Sequence, residues 1–404
     1  MQTSRSSVVS LGALLGLVAT IASAQVVTPL GPEFHLSFTD ISQPVGLAAD
    51  RNGRFLALLQ DVFSVTLRAW GWRDGSTLPS FSPAGDENWG SVAAVGPDTF
   101  AVAWPRVDLE AFQQDVLFAL YSADGAPIRS EQLVTPESFP WPSDPRLDIA
   151  RTPDGVVIVW TSDWEEIEAR FVPFSTPAPP PSTVTFSSGV SAREPRVAAT
   201  QDGRTLVVWF SSDCAPEYPD GCVRARHFDP AGNPTGPEFV LSTSPAGAQE
   251  YPAAAASGDG FVVVWQSEAC TCIRARRLDG NGVPEGAEIL VDEPDGPPGR
   301  VPAISATQEG DFLVTWSRGS QPSVPYLRAF DPLGRPLTDG LPISDPPELY
   351  SWSTQVALSA SGEFVVVWER DDEEMLARRF RLQVPVFADG FESGDTSAWS
   401  RTTD

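Results

Sequence analysis

Short apolar segments alternate with turn residues along almost the whole sequence. Seven of these segments align on one position, where the first has Leu and the other six have Trp. The aligned residues are Leu59, Trp104, Trp160, Trp209, Trp265, Trp316 and Trp368. A unit that returns at intervals of about 50 residues indicates a repeat architecture.

Each copy contains four strand-like segments in the same order. A segment of small residues such as "PRVAATQ" precedes a short turn and the segment that contains Trp. A third segment, such as "CVRARHFD", alternates with the period of two that is typical of a pleated strand, and a D-x-x-G-x-P turn leads to a fourth, such as "GPEFVLS". Four antiparallel strands joined by turns form one blade of a β-propeller, so we predict an all-β, seven-bladed β-propeller.

The seventh copy has no fourth strand of its own, but the beginning of the chain supplies a candidate. The segment "GPEFHLS" at 31–37 nearly duplicates "GPEFVLS" at 236–242. We predict that an N-terminal strand at residues 31–38 completes the last blade and closes the ring. Closure would cover both free edges of the sheet array.

The first 24 residues are typical of a cleaved secretory signal. They contain Arg5, an apolar stretch at 8–21 and the small-residue site Ala22-Ser23-Ala24. The predicted organisation is therefore a signal peptide at 1–24, the propeller at 25–382 and a C-terminal tail at 383–404. No later segment is apolar enough to cross a bilayer, so we expect a secreted monomer, extracellular or periplasmic.

Composition limits the chemistry. The chain has 53 Asp and Glu, 27 Arg, no Lys and a net charge of −26, which argues against nucleic acid as a partner. With no Lys and only His35 and His227, it lacks Schiff-base lysines and has few groups for a histidine triad or a zinc site. We predict no catalytic residue, no metal site and no cofactor, with Ca²⁺ kept as an alternative.

The loops that join strands two to three and four to one lie on one face of a propeller. In this sequence they differ from copy to copy, and they combine carboxylates with aromatic residues. The candidate ligand-binding residues are Trp89, Trp141, Trp164, Tyr218, Tyr251, Tyr350 and Trp352. Aromatic rings beside carboxylates suit sugars, whose hydroxyls donate to the acids, and they suit a basic protein partner or Ca²⁺ equally well.

These loops support more than one function. The leading prediction is a non-catalytic binding scaffold for a glycan or protein ligand. The alternative is a carbohydrate-active hydrolase or lyase that uses paired carboxylates, Asp163 with Glu165 or Asp371 with Glu374. A purely structural surface component is a third reading. The repeated Trp residues are better explained by packing between blades than by sugar stacking, since they recur at one locked position.

Four cysteines lie in the fourth and fifth copies. In an exported protein they indicate disulfides, most simply Cys214 with Cys222 and Cys270 with Cys272. A pairing across blades and free thiols remain open, because the second ring would be tight. The arginines of the Arg-Ala-Arg segments are expected to alternate outward and to pair with nearby acids.

The copies resemble the blade repeats of secreted bacterial β-propeller proteins that have an A-x-x-x-D-G-x-F-V-V-V-W core and no assigned activity. The resemblance spans residues 31–382 and implies the architecture alone. The chain lacks the Ser-x-Asp-x-Gly-x-Thr-Trp box of sialidases, the pattern of quinoprotein dehydrogenases and the Trp-Asp ending of WD40 blades. The tail segment "DGFESGDTSAWS" resembles a C-terminal ending of assorted secreted bacterial proteins and the opening strand of jelly-roll carbohydrate modules.

Overall fold

A computed structural model describes most of the chain between residues 26 and 383. The described ranges are 26–37, 42–61, 66–73, 76–78, 80–82, 90–108, 110–111, 113–135, 139–140, 146–162, 166–175, 183–186, 192–214, 216–292, 297–320, 323–344, 351, 353–370 and 374–383. The predicted signal peptide and all of the predicted tail except Gln383 lie outside these ranges.

The described residues form seven antiparallel sheets, each with at least four strands, and contain no helix. The sheets are the blades of a seven-bladed β-propeller, which confirms the predicted fold. Blade 1 consists of Ser42–Ala49, Phe55–Asp61, Thr66–Arg73 and Ser76–Thr77. Blade 2 consists of Ser91–Gly96, Thr99–Asp108, Gln113–Tyr121, Pro127–Leu133 and Phe139–Pro140. Blade 3 consists of Leu147–Arg151, Gly155–Thr161, Ile167–Pro173 and Thr183–Phe186.

The remaining four blades continue the same order along the chain. Blades 4 and 5 consist of Ala192–Ala199, Thr205–Ser211, Cys222–Phe228 and Phe239–Val240; and Gln249–Ser257, Gly260–Ser267, Cys272–Leu278 and Pro284–Leu290. Blades 6 and 7 consist of Gly299–Ala306, Phe312–Arg318, Val324–Phe330 and Leu341–Pro342; and Thr354–Leu358, Glu363–Arg370 and Glu374–Leu382 with the N-terminal Val27–Pro29 and Phe34–Ser37.

The N-terminal strands close the ring, as predicted. Both pair antiparallel with the last strand, Val27 opposite Leu382 and Phe34 opposite Ala377. The closing segment therefore begins earlier than the predicted 31–38 and is interrupted between its two short strands. Leu36 is buried between blades 7 and 1, so closure contributes apolar packing as well as backbone hydrogen bonds.

The core consists of seven hydrophobic clusters, one between each pair of neighbouring blades. The repeated aromatic position contributes to every one of these clusters. Each of its six Trp side chains is at most 1% exposed, and Leu59 occupies the position in blade 1. Such side chains are inaccessible to a ligand, so the repeated Trp residues pack the blades together, as the sequence favoured.

Arginines of the third strands also join neighbouring blades. Arg276, Arg328 and Arg378 each donate from Nη1 to a backbone carbonyl in the preceding blade, at 2.6, 2.8 and 2.9 Å. In the Arg-Ala-Arg segment of blade 5, the predicted pairing with an acid is made by the first arginine, since Arg274 lies 3.1 Å from Glu288. Blades 5, 6 and 7 are each thereby tied to the preceding blade by a charge-assisted hydrogen bond.

The first strand of each blade lines an axial channel, and the channel has two different ends. The inner strands begin at one end of the channel, which we call the loop face; Arg146, Glu194 and Tyr251 lie there. They finish at the other end, which we call the turn face; Arg151 and Ala199 lie there.

The two disulfides join Cys214 to Cys222 and Cys270 to Cys272, which is the simplest pairing predicted.

Candidate functional site

A cavity of about 200 Å³ occupies the channel near the loop face. Inner strands of all seven blades line it, and its lining residues include Arg146, Asp148, Arg196, Gln355 and Tyr251. Small-molecule sites are typically concave with a few converging polar groups. We call this space the loop-face cavity.

Three strained residues occupy one repeat position near this end of the channel, and two of them, Tyr251 and Val301, line the cavity. Glu194, Tyr251 and Val301 have φ values of 58°, 52° and 44°, and each precedes a proline at a register shift between the first two strands of its blade. A positive φ is costly for residues with a side chain and persists only where neighbouring contacts hold it. Three consecutive blades therefore share an unfavourable backbone conformation at the same repeat position.

The Glu194 carboxylate joins three blades at this position. Its Oε2 accepts a hydrogen bond from the backbone N–H of Tyr251 in blade 5 at 2.9 Å, and its Oε1 lies 3.7 Å from Nη1 of Arg146 in blade 3. Glu194 is buried, so this carboxylate is compensated by a cation and a backbone donor. The contacts fix the position of the Tyr251 backbone and, with it, the base of the aromatic ring.

A second acid lies beside the first. The Glu250 carboxylate is 3.3 Å from Nη2 of Arg193, an ion pair that also crosses from blade 4 to blade 5. Burial, together with the nearby charges of Glu194 and Glu268, raises the pKa of Glu250. Burial and the same acidic surroundings raise the pKa of the Tyr251 hydroxyl. The site therefore holds acceptors, donors and an aromatic ring within a partly desolvated region.

Asp148 fixes the wall deeper in the channel. Its Oδ1 accepts from the Ser91 hydroxyl at 2.7 Å, and its Oδ2 accepts from the backbone N–H of Val197 at 2.9 Å. These bonds connect blade 3 to blades 2 and 4. The carboxylate is thus a structural connection, and Tyr251, Glu194 and Glu250 remain the groups with chemistry to offer at the mouth.

The structure describes two of the seven aromatic residues predicted to bind a ligand. Tyr251 lines the loop-face cavity, whereas Tyr218 is half-buried and donates its hydroxyl to the Ser242 carbonyl at 3.1 Å, away from the cavity lining. The other five lie outside the described residues: Trp89, Trp141, Trp164, Tyr350 and Trp352.

The predicted catalytic pairs are described only in part. Asp163, Glu165 and Asp371 lie outside the described residues. Glu374 forms an ion pair with Arg370 and lies 3.9 Å from Nδ1 of His35. Its carboxylate is therefore engaged with Arg370 and His35 at the beginning of the third strand of blade 7.

Sequence reasoning missed Arg146, Arg193 and Glu194. The signal is visible afterwards in "REPR", "EYPA" and "RVPA", where a residue before proline occupies the same place in three successive copies.

Within the described residues, no group of three or more His, Cys, Asp or Glu is arranged to hold a metal ion. That same part of the chain has no helix with the length and hydrophobicity needed to span a membrane.

Comparison with solved structures gives the same fold. A lectin from Burkholderia pseudomallei superposes with a TM-score of 0.57 at 13% identity, over 85% of this chain and 95% of that one. A fucose-specific lectin from Aleuria aurantia gives 0.47 at 13% identity, over 83% and 92%. An α-L-arabinofuranosidase from Fusarium graminearum gives 0.49 at 9% identity, over 85% and 93%. No protein-family model and no curated protein sequence matches the chain.

Proposed function

We propose that this protein is an exported, non-catalytic propeller that binds a glycan at the loop face. The observation that carries the proposal is the position of Tyr251 in the cavity lining, with its backbone N–H held by Glu194 and its hydroxyl influenced by the charges of Glu250 and Arg193. Sugar rings stack their C–H faces on aromatic side chains, while their hydroxyls donate to carboxylates and accept from guanidinium groups. The propeller fold shared with a bacterial lectin is compatible with this use.

The aromatic residues of the loops extend the proposed site. In the sequence, their loops precede inner strands or join the second and third strands of a blade, so we expect them on the side of the ring that Tyr251 occupies. The proposed additional contacts are Trp89, Trp141, Trp164, Tyr218, Tyr350 and Trp352. The two disulfides support a function outside the cytoplasm, because such bonds persist in oxidising compartments.

A glycan array with the mature protein tests this proposal. Wild-type protein is expected to bind at least one glycan saturably, and Tyr251→Ala should weaken that binding by about tenfold or more, because stacking on one aromatic ring is worth ~1–3 kcal/mol for a nucleic-acid base and we expect a similar value for a sugar ring. Tyr251→Phe is the matched control, because it keeps the ring and removes only the hydroxyl. Equal loss in both variants, or no glycan bound at all, would reject the proposed site.

One observation favours a second function, a glycoside hydrolase or lyase. The raised pKa of Glu250 beside the Glu194 carboxylate is the arrangement that a general acid requires. Mass analysis of the bound glycan after long incubation distinguishes the two functions. An intact glycan supports binding alone, whereas cleavage that disappears in Glu250→Gln would establish the enzyme.

A further inference from the structure

A second cavity lies at the opposite end of the channel, at the turn face. Its volume is about 390 Å³, and the last residues of five inner strands, with the turns that follow them, contribute most of its lining. Sites for small molecules in proteins typically enclose ~300–1,000 Å³. This turn-face cavity therefore has room for a small ligand and takes no part in the proposed glycan site.

One residue in its wall departs from the repeat. Arg151 is the last residue of the inner strand in blade 3, where it pairs with Val156. The register of the other six blades places an apolar residue at the same position: Ala49, Ala94, Ala199, Ala256, Ala306 and Leu358. Blade 3 thus introduces a guanidinium group into a ring of small and aliphatic side chains.

A second arginine faces the same space. Arg51 belongs to the turn after the inner strand of blade 1 and lines the cavity together with Arg151. Burial and the charge of Arg51 lower the pKa of Arg151, so the two guanidinium groups interact electrostatically. Both remain charged at neutral pH, and like charges that share a cavity repel each other.

Neither arginine has a carboxylate within ion-pair distance among the described residues, whereas their neighbour Arg54 lies 3.4 Å from Asp98. Asp50 is the one carboxylate among the residues that line the cavity. Its oxygens accept from the backbone N–H groups of Arg54 at 2.9 Å and Asp98 at 2.8 Å, so the turn itself uses this acid. Arg51 and Arg151 are exposed, and they place two positive charges without a carboxylate partner among the described residues in one cavity of a chain whose net charge is −26.

We infer that the turn-face cavity binds a small ligand through a phosphate or sulfate group held between Arg51 and Arg151. Guanidinium groups donate two parallel hydrogen bonds to such oxyanions, and an anion relieves the repulsion between the two cations. The side chains of Thr152, Gln201 and Gln308 also line the cavity and supply hydroxyl and amide groups for the rest of the ligand. Polyanions are excluded, because the acidic surface of the protein repels them.

Calorimetric titration at constant ionic strength tests the inference with inorganic phosphate, sulfate and glucose 6-phosphate. Wild-type protein is expected to bind at least one of them saturably. Arg151→Ala, which installs the residue found in five other blades, should weaken binding by about tenfold or more, since a hydrogen bond to a charged group is worth ~1.5–3 kcal/mol. Arg51→Gln should have a similar effect. Tighter binding of glucose 6-phosphate than of phosphate would identify an ester as the ligand, and equal binding would identify the free anion.

Arg335→Ala is the matched control. Arg335 is an exposed turn arginine outside the cavity lining, paired with Asp331 at 2.6 Å, so its loss removes the same charge without touching the cavity. Binding should be unchanged in this variant, and an unchanged melting temperature of Arg151→Ala would show that the ring is intact. The inference is overturned if none of the three anions binds, if Arg151→Ala binds as tightly as wild type, or if Arg335→Ala is equally weakened.

Discussion

The inter-blade cores and the two ends of the axial channel are formed by the same blades, but the cores keep the sequence repeat and the channel ends depart from it. In the cores, Trp returns at one position in six blades and is buried each time. At the turn-face end of the channel, one position departs from the repeat, because Arg151 stands where five other blades have Ala and one has Leu. Repetition therefore identifies what holds the ring together, and the departure at Arg151 is the basis of the binding site that we propose at the turn face.

Deletion of residues 26–37 from the mature chain should produce the largest effect on the repeated part of the molecule. The last strand, Glu374–Leu382, would lose both of its N-terminal partners, and the cores on either side of blade 7 would lose Val27 and Leu36. An exposed strand edge also promotes aggregation. Thermal unfolding monitored by circular dichroism should show a much lower melting temperature. An unchanged melting curve would contradict ring closure.

Trp265→Ala tests the repeated position itself. The side chain is fully buried, and its Nε1 donates to Oε1 of Gln249 at 3.0 Å. Its removal should lower the free energy of unfolding by about 3–5 kcal/mol. Denaturant unfolding measures this, with Tyr251→Ala as the comparison at the channel mouth. A smaller loss of stability in Trp265→Ala than in Tyr251→Ala would contradict the assignment of Trp265 to packing between blades and of Tyr251 to ligand binding.

Asp292 departs from the residues found at the equivalent position of other blades, in a part of the molecule that we assign to stability and not to binding. At this position blades 2 and 4 have Thr135 and Ser242, whose hydroxyls accept a backbone N–H of the third strand at 3.2 and 3.4 Å. In blade 5 the acceptor is the buried carboxylate of Asp292, which receives the N–H of Ile273 at 3.1 Å. Burial raises the pKa of Asp292 to about 6.

The raised pKa gives a pH dependence with a definite sign. The fold favours the neutral carboxyl, so its contribution to stability is complete below pH 4 and is lost as the pH rises through about 6. Asp292→Asn, which stays neutral, should stabilise the protein by about 3 kcal/mol at pH 8 and leave it unchanged at pH 4. Denaturant unfolding across this range measures the difference.

Asp202→Asn is the control of opposite sign. Hydrogen bonds from Arg204 and Thr200 lower the pKa of Asp202 to about 2. Its contribution to stability is therefore present above pH 4 and lost as the pH falls towards 2, so the Asn variant should be less stable at neutral pH. Stabilisation by both substitutions at pH 8 would contradict the electrostatic explanation for Asp292.

Arg276→Gln should have a smaller effect on stability than Trp265→Ala. The variant loses the hydrogen bond to the Leu241 carbonyl of the preceding blade, which should cost about 2 kcal/mol because the donor is charged. Arg335→Gln breaks an exposed ion pair at the surface and should cost at most about 1 kcal/mol. Equal losses in the two variants would show that the hydrogen bond between blades contributes no more to the free energy of unfolding than an exposed ion pair does.

The sequence predicted the ring well because strand patterning and packing repeat. Seven aligned segments, one missing fourth strand and the duplicate "GPEFHLS" were enough to predict the blade number and the closure. The binding sites were predicted less completely. Tyr251 was identified from its loop, but its partners Arg146 and Glu194 belong to other blades, and only the register and the positive φ at Glu194 bring them together.

The most direct test of two separate sites on one rigid ring is a crossed titration. Wild-type protein, Tyr251→Ala and Arg151→Ala would each be titrated calorimetrically with the best glycan from the array and with the best of the three anions. We predict that Tyr251→Ala loses the glycan and keeps the anion, and that Arg151→Ala does the reverse. If both variants lost both ligands, or if neither lost either one, the assignment of binding to the two channel ends would be wrong.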